Sequence, residues 1–285
     1  MDGGIRRHGG KPAGGGKRFE TSRRTKMSIE IIEASDTKPA PKQIALWLQA
    51  TTLLDFSDQS IRNLVEMRRW MQLPPKERLG AAYDFVRDEI AFGYNASDDL
   101  RASQVLADGI GQCNTKGTLL MALFRAVGIP CRLHGFTIDK RLQKGAVTGI
   151  AYVLAPQNIL HSWIEAWLDD RWFRLEGFIL DRRYLNALQR RFSACQGPFV
   201  GYGAATPDLQ SAPVEWRGCD TFIQKEGINR DFGFFDAPDD FYASYGVNLS
   251  GPKRWLFQNV VRHQMNRNVE RIRGEVAGLD VVDGN

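Results

Sequence analysis

The sequence predicts an α+β fold in which helices come first and antiparallel strands follow. Three observations carry that expectation. Apolar residues between positions 42 and 127 recur at three- and four-residue spacing, the helical period. From Cys131 to Phe178 the runs shorten and alternate, as strands do. Between the two lies a segment, Leu119, Leu120, Leu123, Phe124 and Val127, that is apolar nearly all round and so suits a helix buried in the core. A block of helices followed by a block of strands, rather than their alternation, is the α+β pattern.

The elements follow in order. Ile44, Leu46, Trp47 and Leu48 open a first helix, closed by Leu53, Leu54 and Phe56. Ser57-Asp58 offers a cap for a second, with Ile61, Leu64, Val65 and Met71 on its apolar side. Pro74-Pro75 ends it, and Pro75 suits the first turn of a third helix with the stripe Leu79, Ala82, Phe85, Val86 and Ile90. After the polar loop Asn95 to Asp99, Ser103 can cap a short helix ending at Asp108-Gly109. The buried helix follows, with Cys113 at its first turn and Gly128 and Pro130 at its end. Strands are expected over Cys131–Ile138, Ala151–Leu154, His161–Leu168 and Trp172–Phe178. Beyond 182 the chain reads as irregular structure packed on the core, rich in aromatics and glycine. Near its end Gly251-Pro252 introduces a helix with Leu256, Val260, Met265, Val269 and Ile272 on one face.

Composition excludes several classes. Of 285 residues, 43% are hydrophobic and 25% charged, which rules out a wholly disordered chain, a collagen repeat or a coiled-coil rod. No apolar run approaches the roughly 18 residues of a membrane span; Thr118 to Ile129 is short and is broken by Arg125. The net charge of +5 is concentrated in residues 1–26, a basic, Gly-rich tail with too few large apolar residues to fold. Three readings of the tail stay open: translation from Met27, an arm touching RNA or anionic lipid, or an artificial addition. The remaining body is close to neutral, so nucleic acid is expected only through residues 1–26, and no membrane partner is expected. Four cysteines without paired spacing do not make a disulfide framework, and a reducing, cytoplasmic setting follows. The chain divides into the tail 1–26, a helical part 27–110, a core 111–181 and an aromatic-rich extension 182–285.

The chemistry starts at Cys113. A thiol at a helix N-terminus faces free N–H groups and the positive end of the macrodipole, which favour its nucleophilic form and can bind an oxyanion. Gly111 beside it would let a substrate backbone approach. His161 opens an alternating strand, with Trp163, Glu165 and Trp167 on its face. A two-residue loop at Asp169-Asp170 would set Trp167 opposite Trp172, Glu165 opposite Arg174 and Trp163 opposite Glu176. Glu176 then lies diagonally beside His161, close enough to fix its tautomer. Cysteine, histidine and carboxylate in that order supply nucleophile, base and orienting acid.

The stretches Gly111-Gln-Cys113, Leu123-Phe-Arg-Ala-Val-Gly-Ile-Pro130, His161-Ser-Trp-Ile-Glu-Ala-Trp167 and Trp172-Phe-Arg-Leu-Glu176 resemble the transglutaminase-like core. The resemblance spans about residues 80–180. It implies a papain-like fold with the cysteine helix packed on an antiparallel sheet, and cysteine-dependent attack on amides. Cys113 would be the nucleophile, His161 the base and acid, and Glu176 the orienting carboxylate. Peptide, protein or small amide would be the substrate, with no cofactor and no metal. Two positions depart from the family. Glu176 stands where Asp is usual, with Asp181 as the fallback. Asn114 stands where crosslinking members have Trp, which points to hydrolysis rather than protein crosslinking. No Asp/Asn-rich calcium loop is present. The alternative is a scaffold that keeps the fold without the chemistry. Cys131 and His134 have ligand-like spacing, but residues three apart on a strand face opposite ways and cannot share one ion.

Overall fold

The computed structural model describes residue 31, residues 38–248 and residues 251–274, so the tail 1–26 lies outside the described residues. The helices are α1 (Pro41–Leu46), α2 (Gln59–Met67), α3 (Pro75–Asp88), α4 (Ala102–Asp108), α5 (Cys113–Ala126), α6 (Gly149–Leu154), α7 (Arg182–Arg191), α8 (Pro238–Tyr245), α9 (Gly251–Leu256) and α10 (Arg262–Gly274). The strands are β1 (Ala91–Phe92), β2 (Ile110–Gly111), β3 (Cys131–Asp139), β4 (Asn158–Leu168), β5 (Arg171–Leu175), β6 (Phe199–Gly201), β7 (Ala204–Thr206) and β8 (Ile228–Phe235). A four-stranded antiparallel sheet in the order β5-β4-β3-β8 is the centre of the fold, with α5 against β4. The fold is α+β.

Local chemistry accounts for the helix boundaries. Asp58 caps α2 by accepting from the Ser60 N–H at 2.8 Å. Pro75 starts α3, whose Leu79, Ala82, Phe85 and Val86 are buried together with Ile90 just beyond it. Gly109 and Gly128 end α4 and α5 at φ 64° and 77°, values that cost a side chain strain and cost glycine none. Inside α5, Gly117 gives up helix propensity for proximity: a Cβ there would stand 3.3 Å from Ile164 Cδ1 of β4. Every residue of α5 from Cys113 to Arg125 is buried.

Several expectations change. The first helix ends at Leu46 and leaves Leu53, Leu54 and Phe56 outside it, and α4 begins before Ser103, whose hydroxyl donates to Asp55 at 2.6 Å rather than capping the helix. Residues 151–154 belong to the helix α6, not a strand; a four-residue apolar run carries no period that separates the two. Met71 leaves the apolar side of α2, because the chain turns at Arg69 (φ 54°) into a 3-10 turn that leaves Met71 half-exposed. The segment after 182 is not irregular: it supplies α7, the β6–β7 hairpin, α8 to α10, and β8, which completes the central sheet beside β3. The last helical run is interrupted by a π-helical turn at Phe257–Val261, which rotates Leu256 and Val260 out of the buried face kept by Met265, Val269 and Ile272.

Candidate active site

Cys113 is the first residue of α5, among the N–H groups that a helix leaves unpaired. The chain enters through Gln112, whose N–H donates to Thr115 Oγ1 at 3.1 Å and so fixes the first turn. The expected role of Gly111 does not hold: a Cβ there would meet Lys116 Cγ at 2.7 Å and Thr115 Oγ1 at 2.9 Å. The glycine admits the helix's own side chains rather than a substrate backbone.

His161 lies on β4, beyond the last residue that β5 pairs, since the ladder runs from Leu168↔Arg171 only to Ile164↔Leu175. The turn Asp169-Asp170 has φ of 52° and 59°, the two-residue primed geometry, and Trp167 faces Trp172 and Glu165 faces Arg174. Trp163 and Glu176 do not pair. The ladder stops one residue early because the Glu176 N–H donates to Thr221 O at 2.9 Å instead. Glu176 still reaches the histidine: His161 Nε2 and Glu176 Oε1 are 2.7 Å apart, and both side chains are fully buried. The second oxygen of Glu176 accepts the backbone N–H groups of Ile223, Gln224 and Lys225 at 2.8, 2.8 and 3.0 Å. Gly177 lets Val214 and Thr221 pack against the chain just after Glu176, because a Cβ there would meet Val214 Cα at 2.6 Å and Thr221 Cβ at 3.0 Å.

The other ring nitrogen, His161 Nδ1, is buried without a hydrogen-bond partner among the described residues. Burial favours the neutral imidazole, but Cys113 and then Glu176 outweigh it and push His161 up to about 9. The ring is thus the imidazolium at neutral pH. A buried cation with one nitrogen on a carboxylate and the other unspent, beside a thiol, can exchange a proton with that thiol.

Residues 66–177 match the sequence profile of the Transglutaminase-like superfamily. Over this stretch the chain is similar to transglutaminase-like domains. The stretch includes Cys113, His161 and Glu176 and ends one residue beyond the last of them. No curated protein sequence matches the chain. A crystal structure of a candidate cysteine protease from Cytophaga hutchinsonii aligns at 13% identity with a TM-score of 0.38, covering 71% of this chain and 52% of that one. The chain therefore spans about half the length of that protein.

Around Cys113, His161 and Glu176 stands a polar frame that the sequence did not reveal. Asp98 is buried and accepts from Gln112 Nε2 and Asn114 Nδ2, both at 3.2 Å, and from the Asn248 backbone and side-chain nitrogens at 3.2 and 2.9 Å. Asn114 also donates to Leu160 O at 3.1 Å and accepts from Ser162 Oγ at 3.2 Å, which ties the cysteine helix to the two neighbours of His161. The clue available was the run of Asn, Ser and Asp at 95–99, read only as a loop. Lys116, one turn after Cys113, was also missed. It is fully buried, donates to Arg87 O and Ile179 O at 3.1 and 3.0 Å, and is pushed down to about 7 by burial, against the pull of Asp181 and Asp88. A lysine on the turn leading into the apolar run Leu119–Phe124 was its signal.

Asp181, the fallback acid, is engaged elsewhere. It caps α7 through the Tyr184 N–H at 2.9 Å and pairs with Arg273 at 2.7 Å. His134 lies between Glu165 Oε1 at 3.3 Å and Asp231 Oδ1 at 2.9 Å, whereas Cys131 Sγ contacts Met121 O at 3.6 Å on the helix side of the sheet. Among the described residues, no group of three or more His, Cys, Asp or Glu side chains is arranged to hold a metal ion. No described helix is long and apolar enough to cross a membrane. Cys195 and Cys219 are free and far along the chain from these elements.

A cleft of about 150 Å³ opens against Cys113. Part of its wall comes from outside the matched stretch: Val247, Phe257, Val261 and Met265 stand on one side, and Val147, Ile159 and Leu160 of the matched stretch on the other.

Proposed function

We propose that this protein is a cysteine-dependent hydrolase of peptide or amide bonds. Cys113 attacks the carbonyl as thiolate, and its own N–H helps hold the oxyanion. His161, as imidazolium, gives its Nδ1 proton to the leaving amine as the C–N bond breaks, leaving a thioester on Cys113 and a neutral ring. The ring then takes a proton from water, whose oxygen attacks the thioester, and the thiolate departs with the imidazolium restored. Glu176 holds the ring throughout.

The observation that carries this reading is the split of His161: Nε2 on Glu176 at 2.7 Å and Nδ1 unspent. Hydrolysis is favoured over protein crosslinking by Asn114, which occupies the position of the crosslinkers' tryptophan and spends its amide on Asp98, Leu160 and Ser162.

The test is alkylation of Cys113 by iodoacetamide at pH 7, located by mass spectrometry. Wild type is expected to react readily, and His161→Ala about tenfold or more slowly, as thiolate supply falls. An inert Cys113, or equal rates in the two proteins, would replace the enzyme with a scaffold that has kept the fold and lost the chemistry.

A further inference from the structure

The surface that the cleft beside Cys113 exposes is mostly apolar. Val147, Ile159, Leu160, Val247, Phe257 and Val261 present apolar surface to it. The polar groups that reach it are committed to one another. Both oxygens of Asp98 accept two donors each from Gln112, Asn114 and Asn248. Asn95 donates to Asp108 and Ile110 O and accepts from Thr115. Tyr94 donates its hydroxyl to Gln143. Arg254 is half-exposed and turned to Ser97 and Asp99. Asp98 and Arg254 are already held by these partners, so a charged ligand group would have to shed its water with little compensation.

Size narrows the occupant further. A cavity of about 150 Å³ lined by apolar side chains accommodates benzene. The cleft therefore has room for one branched aliphatic or aromatic side chain, and Cys113 on its wall sets that side chain next to the attacked carbonyl.

We infer that this cleft is a specificity pocket that takes a single large apolar side chain, such as Leu, Met or Phe, of a peptide substrate, and that Val247, Phe257, Val261 and Met265 build its outer wall. The inference rests on the proposed cysteine hydrolase and adds its substrate class. The π-helical turn at Phe257–Val261 brings Phe257 and Val261 to the cleft, and the exposed Trp255, Val260 and Val153 flank its lining residues in sequence.

The experiment compares alkylation of Cys113 by N-acyl amino-acid chloromethyl ketones carrying Leu, Phe, Asp or Lys side chains, with iodoacetamide as the reagent that needs no pocket. In the wild-type protein the Leu and Phe reagents are expected to react about tenfold or more faster than the Asp and Lys reagents, the discrimination an apolar pocket gives. In Val261→Trp, which fills the cleft, the ratio of the Leu rate to the iodoacetamide rate is expected to fall by about tenfold. Phe257→Glu, which puts a charge on the wall, should narrow the gap between Leu and Lys reagents. Equal rates for the four ketones in wild type, with iodoacetamide reacting normally, overturn the pocket and leave the hydrolase standing. Failure of every reagent, iodoacetamide included, overturns the hydrolase, and the pocket falls with it.

Discussion

Glu176 divides its carboxylate: one oxygen is held by the N–H groups of Ile223, Gln224 and Lys225, and the other faces His161. This division makes the outcome of Glu176→Gln specific. The amide oxygen of Gln would stay with the three donors, because an NH2 cannot accept them, so the NH2 would turn to His161 Nε2. The ring would then need Nε2 bare and its proton on Nδ1, where a base must be empty. The same tautomer fault in a serine-protease triad costs about 10⁴-fold. Peptide or amide turnover by Glu176→Gln is expected to fall by at least about 10³-fold, with an unchanged melting temperature at pH 7 as the control for folding. His161 also links the site to stability. Its folded pKa, raised from 6.5 to about 9, contributes stability that is complete below 6.5 and lost as pH rises through 9. Urea titrations from pH 6 to 10 should show this loss in wild type relative to His161→Ala, at up to about 1.4 kcal/mol per pH unit.

At the scale of elements, α5 is fastened by Lys116 as well as by packing. Its two bonds, to Arg87 O of α3 and Ile179 O, match the two N–H groups of a neutral amine. With a folded pKa lowered from 10.5 to about 7, Lys116 binds a proton in the unfolded chain that the folded chain lacks across that window. Stability from this residue is lowest below pH 7 and rises toward 10.5, opposite in sign to His161. In Lys116→Met the rise should vanish: the stability of wild type minus that of the variant, from urea unfolding, should increase from pH 7 to 10. A flat difference would mean that Lys116 stays charged when folded. The hairpin around His161 was legible because its determinants are local: alternation on both strands and a two-residue Asp-Asp turn leave one register. The Glu176 cradle was not, because Ile223 to Lys225 act through backbone N–H groups that carry no sequence signature. β8 was missed for a related reason. It pairs with β3 across more than 90 residues, bends at Gly233, and shows aromatics on both faces where a strand with one wet side would alternate.

Over the whole molecule, α10 binds back onto β1, the loops at Tyr94 and Gly145, and the start of α7. Asn266 of α10 bonds both the N–H and the C=O of Tyr94, and Asn268 bonds Gly145 O and Ala146 O, so α10 fixes two loops that border the cleft. Arg273 adds a buried ion pair to Asp181 at 2.7 Å and a bond to Phe92 O at 2.7 Å, joining α10 to the N-cap of α7 and to β1. Breaking such a pair from one side strands the partner's charge. Arg273→Met is therefore expected to cost about 3–5 kcal/mol in urea unfolding, and Asp181→Asn in the same chain should return part of it. The effect should also travel to the nucleophile helix. Asp181 attracts a proton to Lys116, and Arg273 opposes it. With Arg273 gone, Asp181 acts on the lysine unopposed, and the pH at which Lys116 begins to add stability should move above 7. Measuring the Lys116→Met difference in the Arg273→Met background separates the two roles of the arginine. A uniform loss at every pH means a brace alone, whereas a loss accompanied by a displaced pH onset means that the C-terminal helix also sets the charge state beneath Cys113.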